Sequence, residues 1–243
     1  MLAALAALVL AAPPMAGASA PAEEAEGAPP PLYAARPPAP ITLRYELQRG
    51  ALSGSGELLW RPDGGRYALR LDGTVMGLSV ITQESNGTLA AHGLAPERFT
   101  DQRVRRAMVT ANFEREAARI RFSGSTHPVP WHAGVQDRLS WMIQLAAIAQ
   151  AEPRRLAAGQ RVVLEVVGAR GDASTWVFRS FGSEGLALAG ERVQTVRLLR
   201  EPRDAHDTRV EVWLDPARQH LPVRAVMGGQ GERFELRLRE VVR

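Results

Sequence analysis

Residues 133–150 read AGVQDRLSWMIQLAAIAQ and form the one long stretch in which apolar residues recur at helical spacing. One apolar row holds Leu139, Met142, Ile143, Ala146 and Ala147, and a second holds Trp141, Leu145 and Ile148. A helix that is apolar around most of its circumference belongs in a protein interior. This helix is too short, and too polar at its start, to span a membrane. The stretch therefore predicts a buried helix at residues 136–149.

The sequence on both sides of this helix has the pattern of short strands. Residues 41–48 alternate apolar and polar side chains, which is the period of a half-buried strand. Comparable segments, separated by turns, recur about a dozen times along the chain. Turns are indicated by Pro62–Gly65 and by Ser85–Gly87, whose Asn-Gly pair favours a tight hairpin. We predict a mainly β domain: a curved antiparallel sheet, or open half-barrel, of about a dozen strands around one buried helix.

The N-terminal region has the composition of a targeting segment followed by a linker. Residues 1–12 are apolar, and two Ala-x-Ala sites follow at Ala16–Ala18 and Ala18–Ala20. This pattern predicts a secretory signal peptide at residues 1–20, with an uncleaved anchor as the alternative. Residues 21–40 are rich in Pro, Ala and Glu, which predicts a disordered tether or a remnant behind the cleavage site. We therefore expect a periplasmic protein with one β-rich domain at residues 41–243.

Composition narrows the classes of protein and partner. The chain has 243 residues, a formal net charge of +4, and 30 basic residues that are all arginine. These arginines are spread along the strands, whereas a nucleic-acid-binding arm would cluster them, so no nucleic-acid partner is predicted. The chain has no cysteine, which excludes disulfides, thiolate metal sites, a cysteine nucleophile and an acylated cysteine. We expect no transmembrane span once the signal peptide is removed.

The residues with potential chemistry form no recognisable catalytic or metal site. The histidines lack the i, i+4 spacing of a zinc-binding helix; they are His92, His127, His132, His206 and His220. Ser140 lacks the Gly-x-Ser-x-Gly surroundings of an activated serine. Asp137 suits a helix N-terminus and Arg138 suits a strand carboxylate, with ligand binding as the alternative for both. The sequence predicts no catalytic residue, no metal and no cofactor, and hence a non-enzymatic protein.

Four short motifs occur in a fixed order: GLAP at 93–96, QDRLS at 136–140, VWLDP at 212–216 and LPVR at 221–224. Together they resemble an uncharacterised proteobacterial periplasmic family that is catalogued only as domain of unknown function 3108. The resemblance covers roughly residues 41–242. Its most specific residues, which we expect to be structural, are Gln136, Asp137, Arg138, Ser140, Pro222 and Arg224. The family implies no activity, so it supplies no catalytic residue.

The C-terminal strand-turn-strand is also similar to one in periplasmic lipoprotein carriers, whose open antiparallel half-barrel holds helices in its mouth. Physical reasoning leads the same way, because a curved sheet must fill its concave face with side chains, a lid or a ligand. We expect a protein that binds an apolar or amphipathic ligand (a lipid, acyl chain or lipoprotein), with Trp141, Leu145 and Trp213 as ligand-binding residues. The alternative is a structural or interaction module of the cell envelope with an envelope protein as partner. Its barrel would be fully packed and hold no ligand.

Overall fold

A computed structural model describes residues 29–203, 207–229 and 232–242. It contains fifteen strands and one α-helix in the described ranges, together with two short 3₁₀ turns at Pro153–Leu156 and Pro216–Arg218. The helix, α1, spans Trp141–Ala151. The strands are β1 (Ile41–Arg49), β2 (Leu52–Asp63), β3 (Arg66–Val75), β4 (Leu78–Ala90), β5 (Gly93–Arg103), β6 (Val109–Glu114), β7 (Arg119–Phe122), β8 (Val129–Pro130), β9 (Gln136–Asp137), β10 (Arg161–Val167), β11 (Ala173–Leu188), β12 (Glu191–Arg200), β13 (Arg209–Asp215), β14 (Leu221–Gly229) and β15 (Glu232–Val242).

All fifteen strands belong to one sheet, in the order β8-β7-β6-β5-β4-β3-β2-β1-β15-β14-β13-β12-β11-β10-β9. Neighbours pair antiparallel throughout, except that β9 pairs parallel with β10. Most consecutive strands are joined by short turns, because antiparallel neighbours need no long crossover connection. The sheet is curved and open, and the prediction of a mainly β, half-barrel fold around one helix is confirmed.

The two edges of the open sheet, β8 and β9, are separated by only five residues, 131–135. Side chains and backbone groups of this segment reach both sides of the opening. The backbone N–H of Trp131 donates to Ala118 O at 3.0 Å on the β7 side. His132 Nε2 lies 2.7 Å from Glu165 Oε2 on β10. We call residues 131–135 the seam, because they join the two edges without a continuous ladder of strand hydrogen bonds.

Helix α1 lies on the concave face, where it contacts β5, β10 and β14. Its first nine residues, 141–149, are all buried, as the all-round apolar pattern predicted. The predicted start at residue 136 is wrong, because Gln136 and Asp137 form β9 and residues 138–140 form a turn. The Asp137 carboxylate accepts the backbone N–H groups of Leu139 and Ser140, which stabilises that turn ahead of the helix. No helix in the described ranges is long and apolar enough to cross a membrane.

The Asn-Gly pair at 86–87 does not form the predicted hairpin turn. Strand β4 runs through it, and the register against β5 shifts between Asn86 and Gly87. A Cβ on Gly87 would lie 2.2 Å from the carbonyl oxygen of Ala95, so the glycine permits close approach of β5 at a bulge. The Pro62–Gly65 turn is confirmed, since Gly64 and Gly65 connect β2 to β3 with φ values of +52° and +80°.

The expected disordered tether is wrong for residues 33–40, which pack along the barrel. Tyr33 is buried, and its hydroxyl accepts the backbone N–H of Val163 at 2.9 Å. The indole N–H of Trp60 donates to Pro38 O at 2.9 Å. Aromatic anchors thus override the extended, solvated state that the proline content favours. The predicted signal peptide, residues 1–20, and the start of the tether, residues 21–28, lie outside the described residues.

Candidate functional site

The concave interior is filled by aromatic side chains from the helix and from β11. Trp141 on α1 stacks on Phe178 with ring centroids 5.5 Å apart, and the Trp141 and Trp176 centroids are 5.7 Å apart. Trp176 and Phe178 lie side by side on β11, with centroids 5.9 Å apart. All three rings are at most 1% exposed. The concave interior, where the sequence analysis predicted an apolar ligand, is therefore occupied by side chains of the protein itself.

The structure does not bring the three expected ligand-binding residues together. Trp141 and Leu145 are on α1 and are buried in the interior. Trp213 is on β13, where Val212 and Leu214 take the inward positions and Trp213 faces the convex side. The Arg224 guanidinium covers the Trp213 ring at 4.4 Å. Trp213 therefore lies apart from the two helix residues, and ligand binding by the three residues stays a prediction.

The QDRLS motif builds a buried hydrogen-bond network at the helix start. Asp137 Oδ1 accepts from the backbone N–H groups of Leu139 at 2.8 Å and Ser140 at 2.7 Å. Its Oδ2 accepts from Ser85 Oγ at 2.5 Å, and Ser85 Oγ is 3.0 Å from the Tyr67 hydroxyl. The Ser140 hydroxyl accepts the backbone N–H of Asp137 at 2.8 Å. The motif thus fixes the entry into α1 and ties it to β3 and β4.

Burial sets the proton affinity of this network. Desolvation raises the pKa of Asp137 to about 6, although the hydrogen bonds from Ser85, Ser140 and Leu139 favour its ionised form. Desolvation also raises the pKa of Tyr67 well above its usual value. Asp137 is fully buried and Ser85 is 1% exposed, so a substrate would have to enter the core to reach either group. The geometry suits a structural role at the helix start.

The two flanking motif residues also act as supports. Arg138 donates to Asp172 Oδ2 at 2.5 Å, and its guanidinium lies 5.0 Å from the centre of the Trp176 ring. Arg138 thus pairs with a carboxylate, although this carboxylate lies in the turn between β10 and β11 and not on a strand as expected. Gln136 donates from Nε2 to the carbonyl oxygens of Leu94 at 2.9 Å and Gly134 at 3.1 Å. Gln136 therefore joins the seam to β5.

The partner of the GLAP motif in the structure is Gln144 of the helix, which the sequence patterns did not single out. Gln144 Oε1 accepts the backbone N–H of Leu94 at 2.8 Å, and Gln144 Nε2 donates to His92 O at 2.7 Å. Gly93 has φ +98°, and a Cβ there would lie 2.1 Å from Gln144 Oε1. A polar residue on an otherwise apolar helix was the available signal, because a buried amide needs partners. We call this contact the Gln144 clamp.

The C-terminal motifs form a turn and an outer-face cluster. Asp215 is 1% exposed; it accepts the backbone N–H of Ala217 at 2.9 Å and pairs with Arg218. Pro222 O accepts from the Tyr45 hydroxyl at 2.7 Å, which links β14 to β1. Arg224 donates to Glu235 Oε1 at 2.8 Å while it covers Trp213. These contacts of Pro222 and Arg224 are compatible with the structural role that remains a prediction for both residues.

The histidines are dispersed, and those in the described ranges have separate surroundings. The Glu165 carboxylate raises the pKa of His132, whereas burial lowers the pKa of His92 and of His220. His220 Nδ1 lies 3.1 Å from Gln150 Oε1 at the helix end. His206 lies outside the described residues. Within residues 29–203, 207–229 and 232–242, no three His, Asp or Glu side chains are close enough to hold a metal ion. The expected lack of metal stays a prediction.

Comparison with known proteins supports the fold but identifies no activity. The sequence profile of the family described as "Protein of unknown function (DUF3108)" matches residues 41–229. A solved structure, described as a "Beta-barrel-like Protein of Domain of Unknown Function DUF1849 from Brucella abortus", superposes with a TM-score of 0.52. It is 14% identical, and the match covers 86% of this chain and 98% of that one. No functionally curated protein matches the chain.

Proposed function

Because the chain belongs to the DUF3108 family, whose description names no activity, we propose a function from its own geometry. It is a non-enzymatic, exported protein of the cell envelope, located in the periplasm. It acts as a structural or interaction module whose barrel interior is packed with its own side chains. The observation that carries this proposal is the burial of all nine residues 141–149 of α1 against the concave face of the sheet.

The attachment of the helix supports a packed module over a ligand carrier. Its start is held by the Asp137 carboxylate, its middle by the Gln144 clamp, and its end by the contact of Gln150 with His220. A carrier would have to move α1 to admit an apolar ligand, which would break buried hydrogen bonds whose loss costs on the order of 1–3 kcal/mol each. It would also separate Trp141 from Phe178. The apolar-ligand hypothesis is therefore the weaker of the two.

Native mass spectrometry on protein recovered from the periplasm, combined with solvent extraction of lipid, tests the packed interior. We expect the mass of the polypeptide alone and no lipid in the extract. A lipid present at close to one molecule per chain would overturn the proposal and favour the carrier.

Export is tested by sequencing the N-terminus of the protein recovered from cells. The two Ala-x-Ala sites predict a mature chain that begins at Ser19 or at Pro21. Recovery of Met1 from a membrane fraction would contradict cleavage and favour an uncleaved anchor.

A further inference from the structure

Exposed apolar side chains are concentrated on three hairpin turns. Seven large apolar residues are well exposed in the described ranges: Leu32, Leu52, Met76, Leu78, Val104, Met108 and Phe181. Five of these seven lie on the β1–β2, β3–β4 and β5–β6 connections or are the first strand residue after them. Met76 is 86% exposed and Leu78 is 69% exposed. Single exposed apolar residues need no explanation, but a cluster on successive turns marks an interaction surface.

The topology places these three turns beside one another. In an antiparallel meander, alternate connections lie at the same end of the sheet, and β1 to β6 are consecutive neighbours. Adjacent strands are about 4.8 Å apart, so successive turns at one end are about 10 Å apart. We define the hairpin rim as residues 49–54, 74–79 and 102–108. It forms a row of three tips about 20 Å long at one end of the barrel.

All charged side chains within the hairpin rim are positive. Its three segments contain Arg49, Arg103, Arg105 and Arg106 and no acidic residue. Arg103 pairs with Asp101, whereas neither Arg105 nor Arg106 has an acidic partner among the described residues. Several arginines along the strands are paired with carboxylates instead, as Arg44 is with Glu57. The rim thus combines protruding apolar side chains with two cations, Arg105 and Arg106, that have no acidic partner in the part of the chain that the structure describes.

The backbone conformation at the central tip does not favour methionine, so the local requirements of the turn do not explain the exposed Met76. Met76 and Gly77 are the two residues between β3 and β4, with φ values of +51° and +77°. Such turns favour Asn, Asp or Gly at both positions, because other side chains are strained at positive φ. Keeping a long and largely exposed apolar side chain in this conformation is unfavourable for the isolated protein.

We propose that the hairpin rim docks onto an anionic lipid surface, with the aliphatic tips in the acyl boundary and the arginines at the headgroups. This inference rests on the proposed envelope location and names the partner of the interaction module. Apolar side chains flanked by Arg or Lys are what binds peripheral proteins to acidic bilayers. A protein partner fits less well, because protein interfaces present a continuous apolar core that is rich in aromatic residues, and the rim has none.

The test is co-sedimentation of the intact chain, as recovered from the producing cells, with lipid vesicles. One set is pure phosphatidylcholine, and the other contains about a third phosphatidylglycerol. We expect binding to the anionic vesicles only, weakened by salt because the charges are exposed. R105Q/R106Q should weaken binding about twenty-five-fold, since each basic residue at an anionic surface contributes about fivefold. The matched control R36Q/R154Q removes two exposed arginines near the C-terminal end of α1, at the other end of the barrel.

Substitutions of the exposed apolar residues test insertion into the bilayer separately from electrostatic attraction. M76N should weaken binding about tenfold while the melting temperature stays unchanged or rises, because Asn suits the turn. L78S should also weaken binding, and its control L32S, at another exposed leucine, should not. A melting curve for each variant confirms that it is folded.

Three outcomes would overturn the lipid proposal. The first is no binding of the unmodified chain to anionic vesicles, and the second is an equal loss in R105Q/R106Q and R36Q/R154Q, which would indicate net charge alone. The third is a cross-link between the rim and an envelope protein that R105Q/R106Q abolishes while vesicle binding is unchanged, which would identify a protein partner. Failure of the packed-interior proposal is distinguishable, because it would show as extracted lipid that the rim variants leave in place.

Discussion

Replacing Trp141 with alanine tests the packed interior most directly. The indole is fully buried, stacks on Phe178 at 5.5 Å, and donates from Nε1 to Arg138 O at 3.1 Å. Truncation of a buried Trp typically costs ~3–5 kcal/mol through lost burial and the cavity left behind. The stacking and the hydrogen bond bring the expected loss to the upper part of that range. Since a domain has only ~5–15 kcal/mol in total, this is a large fraction of its stability.

Thermal and urea unfolding, followed by tryptophan fluorescence and circular dichroism, measure this loss. For a chain of this length, about 4 kcal/mol corresponds to a melting temperature lower by about 8–16 °C. Trp131→Ala is the matched control, because Trp131 is only partly buried in the seam. Ile143→Ala and Leu145→Ala extend the test around the helix, at ~2–5 kcal/mol each. If Trp141→Ala costs less than about 1 kcal/mol without ligand, α1 is a lid over a cavity and the packed interior is refuted.

Three further predictions concern the polar contacts of the helix and seam. Because burial raises the pKa of Asp137 from 3.8 to about 6, the folded state binds more protons than the unfolded state between those values. Stability relative to Asp137→Asn should therefore fall by about 2 kcal/mol as pH rises from 4 to 6, measured by urea unfolding, and a flat or rising difference would contradict the assignment. Gly93→Ala should lower the free energy of unfolding by ~1–3 kcal/mol, and Gln144→Ala should lower it by a similar amount. In unfolding experiments the double variant should lose less than the sum of the two single losses. Full additivity would mean that the clamp does not couple the two residues. Because Glu165 raises the pKa of His132, this contact stabilises the seam fully below pH ~6.5 and is lost as pH rises through the higher folded value. After correction for intrinsic rates, amide hydrogen exchange in residues 131–135 should accordingly increase with pH more steeply in the unmodified protein than in His132→Gln.

Local patterns in the sequence determined the class of fold and its central element. The period of two in residues 41–48 and the two apolar rows of residues 139–148 are properties of neighbouring residues, so they predict strands and a buried helix without knowledge of contacts. The Pro62–Gly65 turn is equally local. The motifs at 93–96, 136–140, 212–216 and 221–224 indicated the same family whose profile matches residues 41–229.

The tertiary structure decided where those elements end and which residues meet. The helix begins at Trp141 because the Asp137 carboxylate binds the turn before it, an arrangement that depends on Ser85 from a distant strand. Gly87 lies inside a strand because β5 approaches it closely, although its sequence resembles a turn. Trp213 faces outward because the pairing of β13 with β14 places it under Arg224. Each outcome depends on strand register and on partners far apart in the chain, which hydrophobic periodicity does not encode.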